Sequence, residues 1–180
     1  MGRILSFSFV VWAILSVSIS AGTTKEEISR KSPELYCMAM NIYFEARGEP
    51  LLGKIAVGHV VLNRVADKRF PGHVCKVIRQ GGEKRRHRCQ FSWWCDGKSD
   101  RPRDETAWYD AVFVAHLIRL GVTIDPTKGA LWYHAVTVRP NWASQMHREA
   151  KIGRHIFYSK PRRHFSQRSL GSKSRSKSSL

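Results

Sequence analysis

Two apolar segments on either side of a glycine–proline break constrain the fold of this chain more than any other feature. The first opens at Ser32-Pro33-Glu34. Ser32 suits a helix cap, Pro33 the first turn, and Glu34 the positive end of the helix dipole. Leu35, Met38, Ala39, Ile42 and Tyr43 then recur at spacings of three and four, which predicts a helix with one buried face. Gly48 and Pro50 end it. The second segment runs from Gly53 to Val65, where Ile55, Ala56, Val60, Leu62 and neighbouring valines are apolar around much of the circumference. Such a helix belongs deep in a core.

The rest of the chain adds shorter elements. Phe70-Pro71-Gly72 is a turn, and His73 to Arg79 predicts a short helix. Gly81 to Arg88 is a glycine-rich basic loop, and Cys89 to Asp96 is dense in aromatics. Asp104 caps a third helix from Glu105 to Leu120, with Trp108, Val112, Ala115 and Leu117 facing inward and Gly121 closing it. Ala130 to His134 predicts a strand or extended loop, and Lys151 to Tyr158 a turn followed by a strand. The sum is an α+β fold, mainly helical, with a small C-terminal β region. There is no internal repeat and no second domain. At 180 residues and 42% hydrophobic content, one real core is within reach.

The ends carry different signals. Arg3, the apolar run Ile4 to Ile19 and the small residues Ser18 to Gly22 predict a signal peptide over residues 1–21. An uncleaved membrane anchor is the alternative. Either reading exports the chain, to the periplasm or to the cell wall and extracellular space. Residues 22–32 form a polar, flexible lead-in, and 33–159 the folded domain. Residues 160–180 hold seven Lys and Arg, no acid and many serines, which predicts a disordered basic tail. The net charge of +17 attracts polyanions, and the tail suits an anionic wall or membrane surface. Export and the lack of a recognition motif argue against nucleic acid as a partner.

Export also governs the four cysteines. Cys37, Cys75, Cys89 and Cys95 can form two disulfides, or one bridge and two buried thiols. Three pairings are open. A zinc site is disfavoured, because no C-x2-C pair exists.

One carboxyl group has the setting of a general acid. Glu45 falls in the last turn of the first apolar helix, beside Tyr43 and Phe44. Burial penalises the charged form and the negative helix end pushes the same way, so the proton is held to higher pH. The bland alternative is a surface glutamate paired with Arg47 or Arg64. Glu49 lies in the following turn, where it is solvated or holds the loop. Asn63 fixes a helix end or loop by hydrogen bonding. His59 is a hydrogen-bonded core histidine, and His116 has no spaced partner. No H-E-x-x-H or comparable set exists, so neither a metal nor another cofactor is expected.

Four ordered blocks carry a resemblance that extends from about Pro33 to Tyr158. They are FEARGEPLLGKIAVGHVVLNRV (Phe44 to Val65), FPGHVCKVI (Phe70 to Ile78), CQFSWWCDG (Cys89 to Gly97), and a closing region with ALWYHA, PNW and GRHIFY. The sequence resembles the SleB/CwlJ-type cell-wall hydrolases, which include spore-cortex-lytic enzymes. The resemblance implies a lysozyme-like domain that acts on the glycan strands of peptidoglycan. It implies Glu45 as the catalytic acid, and Glu49, Arg47 and Asn63 are read as supporting residues around it. It further implies lytic transglycosylase chemistry, in which one carboxyl serves as acid and then base. A water-using muramidase and a catalytically silent wall-binding protein are the alternatives. Sugar rings stack on aromatics and bond to amides and hydroxyls, so Gln90, Phe91, Ser92, Tyr133, His134 and Trp142 are the expected substrate contacts. Trp93 shares their chemistry, and both Phe91 and Trp93 are equally suited to a core.

Overall fold

The computed structural model describes residues 25–81 and 88–161. Residues 1–21, most of the Gly81–Arg88 loop and most of the 160–180 tail lie outside the described residues. Among those described, the helices are α1 (Lys25–Lys31), α2 (Pro33–Ala46), α3 (Leu51–Ala66), α4 (Val74–Ile78) and α5 (Glu105–Arg119). The strands are β1 (Trp132–Ala135), β2 (His147–Ile152) and β3 (His155–Ser159), antiparallel in the order β1-β3-β2. Short 3-10 turns occupy Ser92–Cys95 and Asn141–Gln145. The architecture is the expected mainly helical, lysozyme-like α+β fold.

α2 is the axis of the domain. Its periodicity predicts one buried face, yet Cys37, Met40 and Asn41 are buried along with Leu35, Met38, Ala39, Ile42, Tyr43 and Ala46. The reason is that α1, α3, α4 and α5 all pack on it. Ser32 makes no side-chain cap; Arg119 Nη1 donates to its hydroxyl at 3.4 Å instead. Asp104 does cap α5, accepting from the Ala107 N–H at 3.0 Å. The Tyr43 ring, 1% exposed, reaches the same helix start, where its hydroxyl accepts from the Arg103 and Asp104 N–H groups. On α5, Trp108, Ala111, Val114, Ala115 and Ile118 line the core, while Val112 and Leu117 are only half-buried.

Two elements depart from expectation. Residues 25–31 form α1 in place of a flexible lead-in, because Ile28 is buried on the helical core and offsets the cost of ordering a polar segment. β2, with the sequence HREAKI, has no apolar alternation to announce it. It is an edge strand, where charged residues are the usual protection against further pairing.

Two disulfides staple the helical part, Cys37–Cys75 between α2 and α4, and Cys89–Cys95 across the aromatic segment. The sheet adds a smaller core of Ala46, Ala56, Val57, Val60, Ala130 and Phe157. Tyr133 packs against both this cluster and the main one. The seam between helices and sheet therefore runs past the C-terminal end of α2, where Glu45 lies.

Candidate active site

Glu45 and Glu49 share a recess of about 200 Å³, completed by Ala135, Val136, Thr137, Arg154 and His155. Glu45 lies in the last turn of α2 and Glu49 in the break before α3, and their surroundings drive them apart.

Glu45 is held at the seam by the last turn of α2. Burial raises its pKa; a hydrogen bond from Tyr133 and the charge of Arg64 oppose this without reversing it. The Tyr133 hydroxyl donates to Glu45 Oε2 at 3.0 Å. Burial and the neighbouring Glu45 charge also lift the Tyr133 hydroxyl well above its ordinary range, so it remains a donor. Glu45 makes no salt bridge with Arg47 or Arg64. Arg47 instead lies over the Tyr43 ring, 5.3 Å from its centroid, and is exposed.

Glu49 is buried and tied down, not solvated. Burial pushes its pKa up, but the Arg154 hydrogen bonds and the charges of His155 and Arg154 outweigh it, and the net shift is downward. The Arg154 N–H donates to Oε2 and Arg154 Nε to Oε1, both at 2.9 Å. This contact fixes the β2–β3 turn against the start of α3. Gly153 is at φ +55°, and any Cβ there would collide with Glu49 Oε2; the turn requires a glycine for both reasons. The pair thus consists of one carboxyl poised to keep its proton and one held ionised, the kind of separation that marks acid–base assignments.

The supporting shell comes from α3. Asn63 Nδ2 donates to Asp125 Oδ2 at 2.9 Å and to the Ala130 carbonyl at 3.1 Å. Arg64 Nε donates to the Leu131 carbonyl at 2.8 Å. These bonds set the chain that leads into β1 and so aim Tyr133. His59 is hydrogen-bonded to Thr123 Oγ1 at 2.9 Å. His116 is exposed.

The other expected sugar contacts are placed unevenly. Phe91 is only 2% exposed, with Arg64 against its face at 5.1 Å, so its ring is part of the core and not a groove wall. Trp93 is buried too, stacked on Phe44 at 4.8 Å and donating to Asn41 Oδ1. Gln90 and Ser92 are exposed on either side of Phe91. His134 follows Tyr133 on β1 and therefore points to the other face of the sheet. There it meets Tyr158 Oη at 2.9 Å and the edge of Trp142. The structure joins Tyr133 to Glu45, sets Glu49 in the same recess, places Asn63 in support of the chain ahead of β1, and leaves His134 and Trp142 behind the sheet. Sequence reasoning missed Arg154 and His155 in the recess. Their signal was GRHIFY, read as a turn followed by a strand and as part of the closing block of the resemblance. Among the described residues, no three His, Cys, Asp or Glu side chains gather as a metal ion would require.

Residues 48–158 match the model of a family described as Cell Wall Hydrolase. Over 125 residues, 69% of this chain, the sequence is 35% identical to a spore cortex-lytic enzyme of Bacillus cereus and covers 43% of it. The same share of the chain is 32% identical to a spore cortex-lytic enzyme of Bacillus subtilis and covers 37% of that protein. The chain thus spans less than half the length of these relatives. Among solved structures it is similar to the catalytic domain of the germination-specific lytic transglycosylase SleB from Bacillus anthracis, with TM-score 0.54 and 32% identity, covering 78% of this chain and 98% of that one. With that family match covering more than half of the sequence, the chain belongs to the cell wall hydrolase family.

Proposed function

We propose that this chain cleaves the glycan strands of peptidoglycan as a lytic transglycosylase, with Glu45 as the single proton-transfer group. The observation that carries this reading is the contrast between the two carboxyls. Glu45 is held toward its protonated form by burial, while both oxygens of Glu49 are engaged by Arg154. A two-carboxylate glycosidase needs a second group free to attack or to activate water, and Glu49 is not free.

One carboxyl suffices if the sugar supplies its own nucleophile. Glu45 gives its proton to the oxygen between N-acetylmuramic acid and N-acetylglucosamine. The C1–O bond breaks and its electron pair stays with that oxygen. The 6-hydroxyl of the muramic acid then bonds to C1, and its proton passes to the Glu45 carboxylate. Acid is regenerated, no water is consumed, and a 1,6-anhydro end results. Tyr133 keeps the carboxyl in one orientation throughout. The family match begins at Gly48, just past Glu45, so the role of Glu45 rests on the resemblance of the Phe44–Val65 block and on its local geometry.

Export supports the same reading. The apolar N-terminal run reads as a signal, and two disulfides suit an oxidising compartment. The basic tail, in this proposal, holds the enzyme on anionic wall polymer.

Digestion of purified sacculi in 18O-labelled water tests the chemistry. Mass spectrometry should find anhydro-muramyl ends carrying no label. Reducing muramic acid ends that carry 18O would establish a water-using muramidase and overturn transglycosylation. Intact sacculi after prolonged incubation would point to a silent wall-binding protein.

A further inference from the structure

We propose that Arg64 is a positioning residue for this chemistry, bringing one fixed, buried positive charge to bear on the Glu45 carboxyl and aligning the tyrosine that binds it. The proposal rests on the reading of Glu45 as the proton donor.

Arg64 is 3% exposed, an expensive place for a cation. Its bonding does not explain the expense. Nε has one acceptor, the Leu131 carbonyl, and Nη1 is buried with no hydrogen-bond partner. Among the described residues no carboxylate forms a salt bridge with it. The rings of Phe70 and Phe91 cover the guanidinium, with their centroids 5.4 and 5.1 Å from its central carbon. For stability alone, a well-packed apolar side chain of similar volume serves such a position as well or better. Retention of an unpaired buried charge needs another reason.

That reason lies in what surrounds it. Its charge acts on both the Glu45 carboxyl and the Tyr133 hydroxyl. The remaining charged or titratable groups of the recess are Glu49, Arg154 and His155. Arg154 forms an ion pair with Glu49 at 2.9 Å, and His155 Nδ1 stands 3.9 Å from the same carboxylate. Their charges largely cancel, which leaves Arg64 as the unbalanced cation acting on Glu45. While Glu45 is protonated, Arg64 keeps the Leu131 carbonyl and the faces of Phe70 and Phe91 as partners but has no anionic one. Once the proton has moved to the leaving oxygen, the carboxylate forms against a waiting cation and a Tyr133 donor. Burial keeps the proton on the acid, and Arg64 lets the acid release it. The bond to Leu131 serves the same end through geometry, because Leu131 immediately precedes β1 and Tyr133.

The test compares Arg64→Met, Arg64→Gln and Arg64→Lys, measuring kcat and KM on sacculi across pH and the 13C titration of the Glu45 side-chain carboxyl. Loss of the charge in Met and Gln should move the alkaline limb and the Glu45 midpoint upward together. It should also lower kcat about ten-fold or more with little change in KM. Lys should restore much of both. If Met fails to fold, Gln against Lys decides, since Gln retains an N–H donor without charge. Loss of stability or activity in Met and Gln with both midpoints unmoved would overturn the proposal and leave Arg64 a structural residue. The titration needs no turnover, so it still judges Arg64 if the Glu45 reading fails by another route.

Discussion

Replacing Glu45 by Gln should abolish cleavage of peptidoglycan while leaving a fully folded protein. A positioned general acid contributes about 10²- to 10⁴-fold, and here one group is asked to transfer the proton twice, so the loss should lie toward the upper end. Gln is isosteric and keeps an oxygen to accept from the Tyr133 hydroxyl, now 3.0 Å from Glu45 Oε2. Stability should not suffer, and its pH dependence gives a second signature. Burial raises the Glu45 pKa in the folded state from an ordinary 4.5. The unfolded carboxyl therefore ionises first as pH rises, and folding loses stability between the ordinary value and the raised one. A glutamine amide does not titrate, so Glu45→Gln should lack this decline and be at least as stable as the wild type near neutrality. Zymograms and urea midpoints at several pH values check both statements. A variant that is inactive because it is unfolded would leave the catalytic reading without support.

Removal of the Cys37–Cys75 bridge should be the most damaging change away from the recess. The bridge spans 38 residues of sequence, for which the loop-entropy relation gives about 4 kcal/mol. The Cys89–Cys95 bridge closes a separation of only 6, for which the same relation gives about 2 kcal/mol. Against typical domain stabilities of about 5–15 kcal/mol, the first loss is a large share. The double variant Cys37→Ala/Cys75→Ala should melt roughly 10–20 °C lower. Neither cysteine lines the recess, so specific activity well below the new melting temperature should match the wild type. Calorimetry with paired rate measurements decides. An unchanged melting temperature would mean that packing around α2 and α4 holds the helices together without the bridge.

Much of the fold was legible because its elements obey simple periodicities. α2, α3 and α5 announce themselves by apolar spacing, and Asp104 marks a helix start that its side chain does cap. α1 and β2 were hidden because their residues are mostly polar and carry no apolar periodicity. At the site, Glu45 was visible from its place at the end of an apolar helix. Its partner Tyr133 lies 88 positions away and surfaced only as one aromatic among several. Tyr133 and His134 were grouped as neighbours, yet period-two alternation allows only one of them to face the helices. Phe91 shows the opposite ambiguity. A ring suited to stacking a sugar is equally suited to a core, and burial, which composition does not reveal, assigns it to the core. Arg154 and Arg64 were least legible. A basic residue in a turn looks like a solubilising charge until the fold pairs it with Glu49, and Arg64 reads as an ion-pair or loop-fixing residue until burial leaves its guanidinium without a carboxylate.

If Glu45 carries the transferable proton at working pH, its own titration must govern the rate. Selective 13C labelling of glutamate carboxyls, with the Glu45 signal identified by its absence in Glu45→Gln, measures that titration directly beside kcat/KM on sacculi. The protonated form is the active one, so activity should fall as pH rises through the Glu45 pKa. The expected midpoint lies above the ordinary 4.5 and coincides with the alkaline limb of the rate profile. A midpoint at or below that value, or a limb that follows another group, would contradict the assignment of Glu45 as the acid.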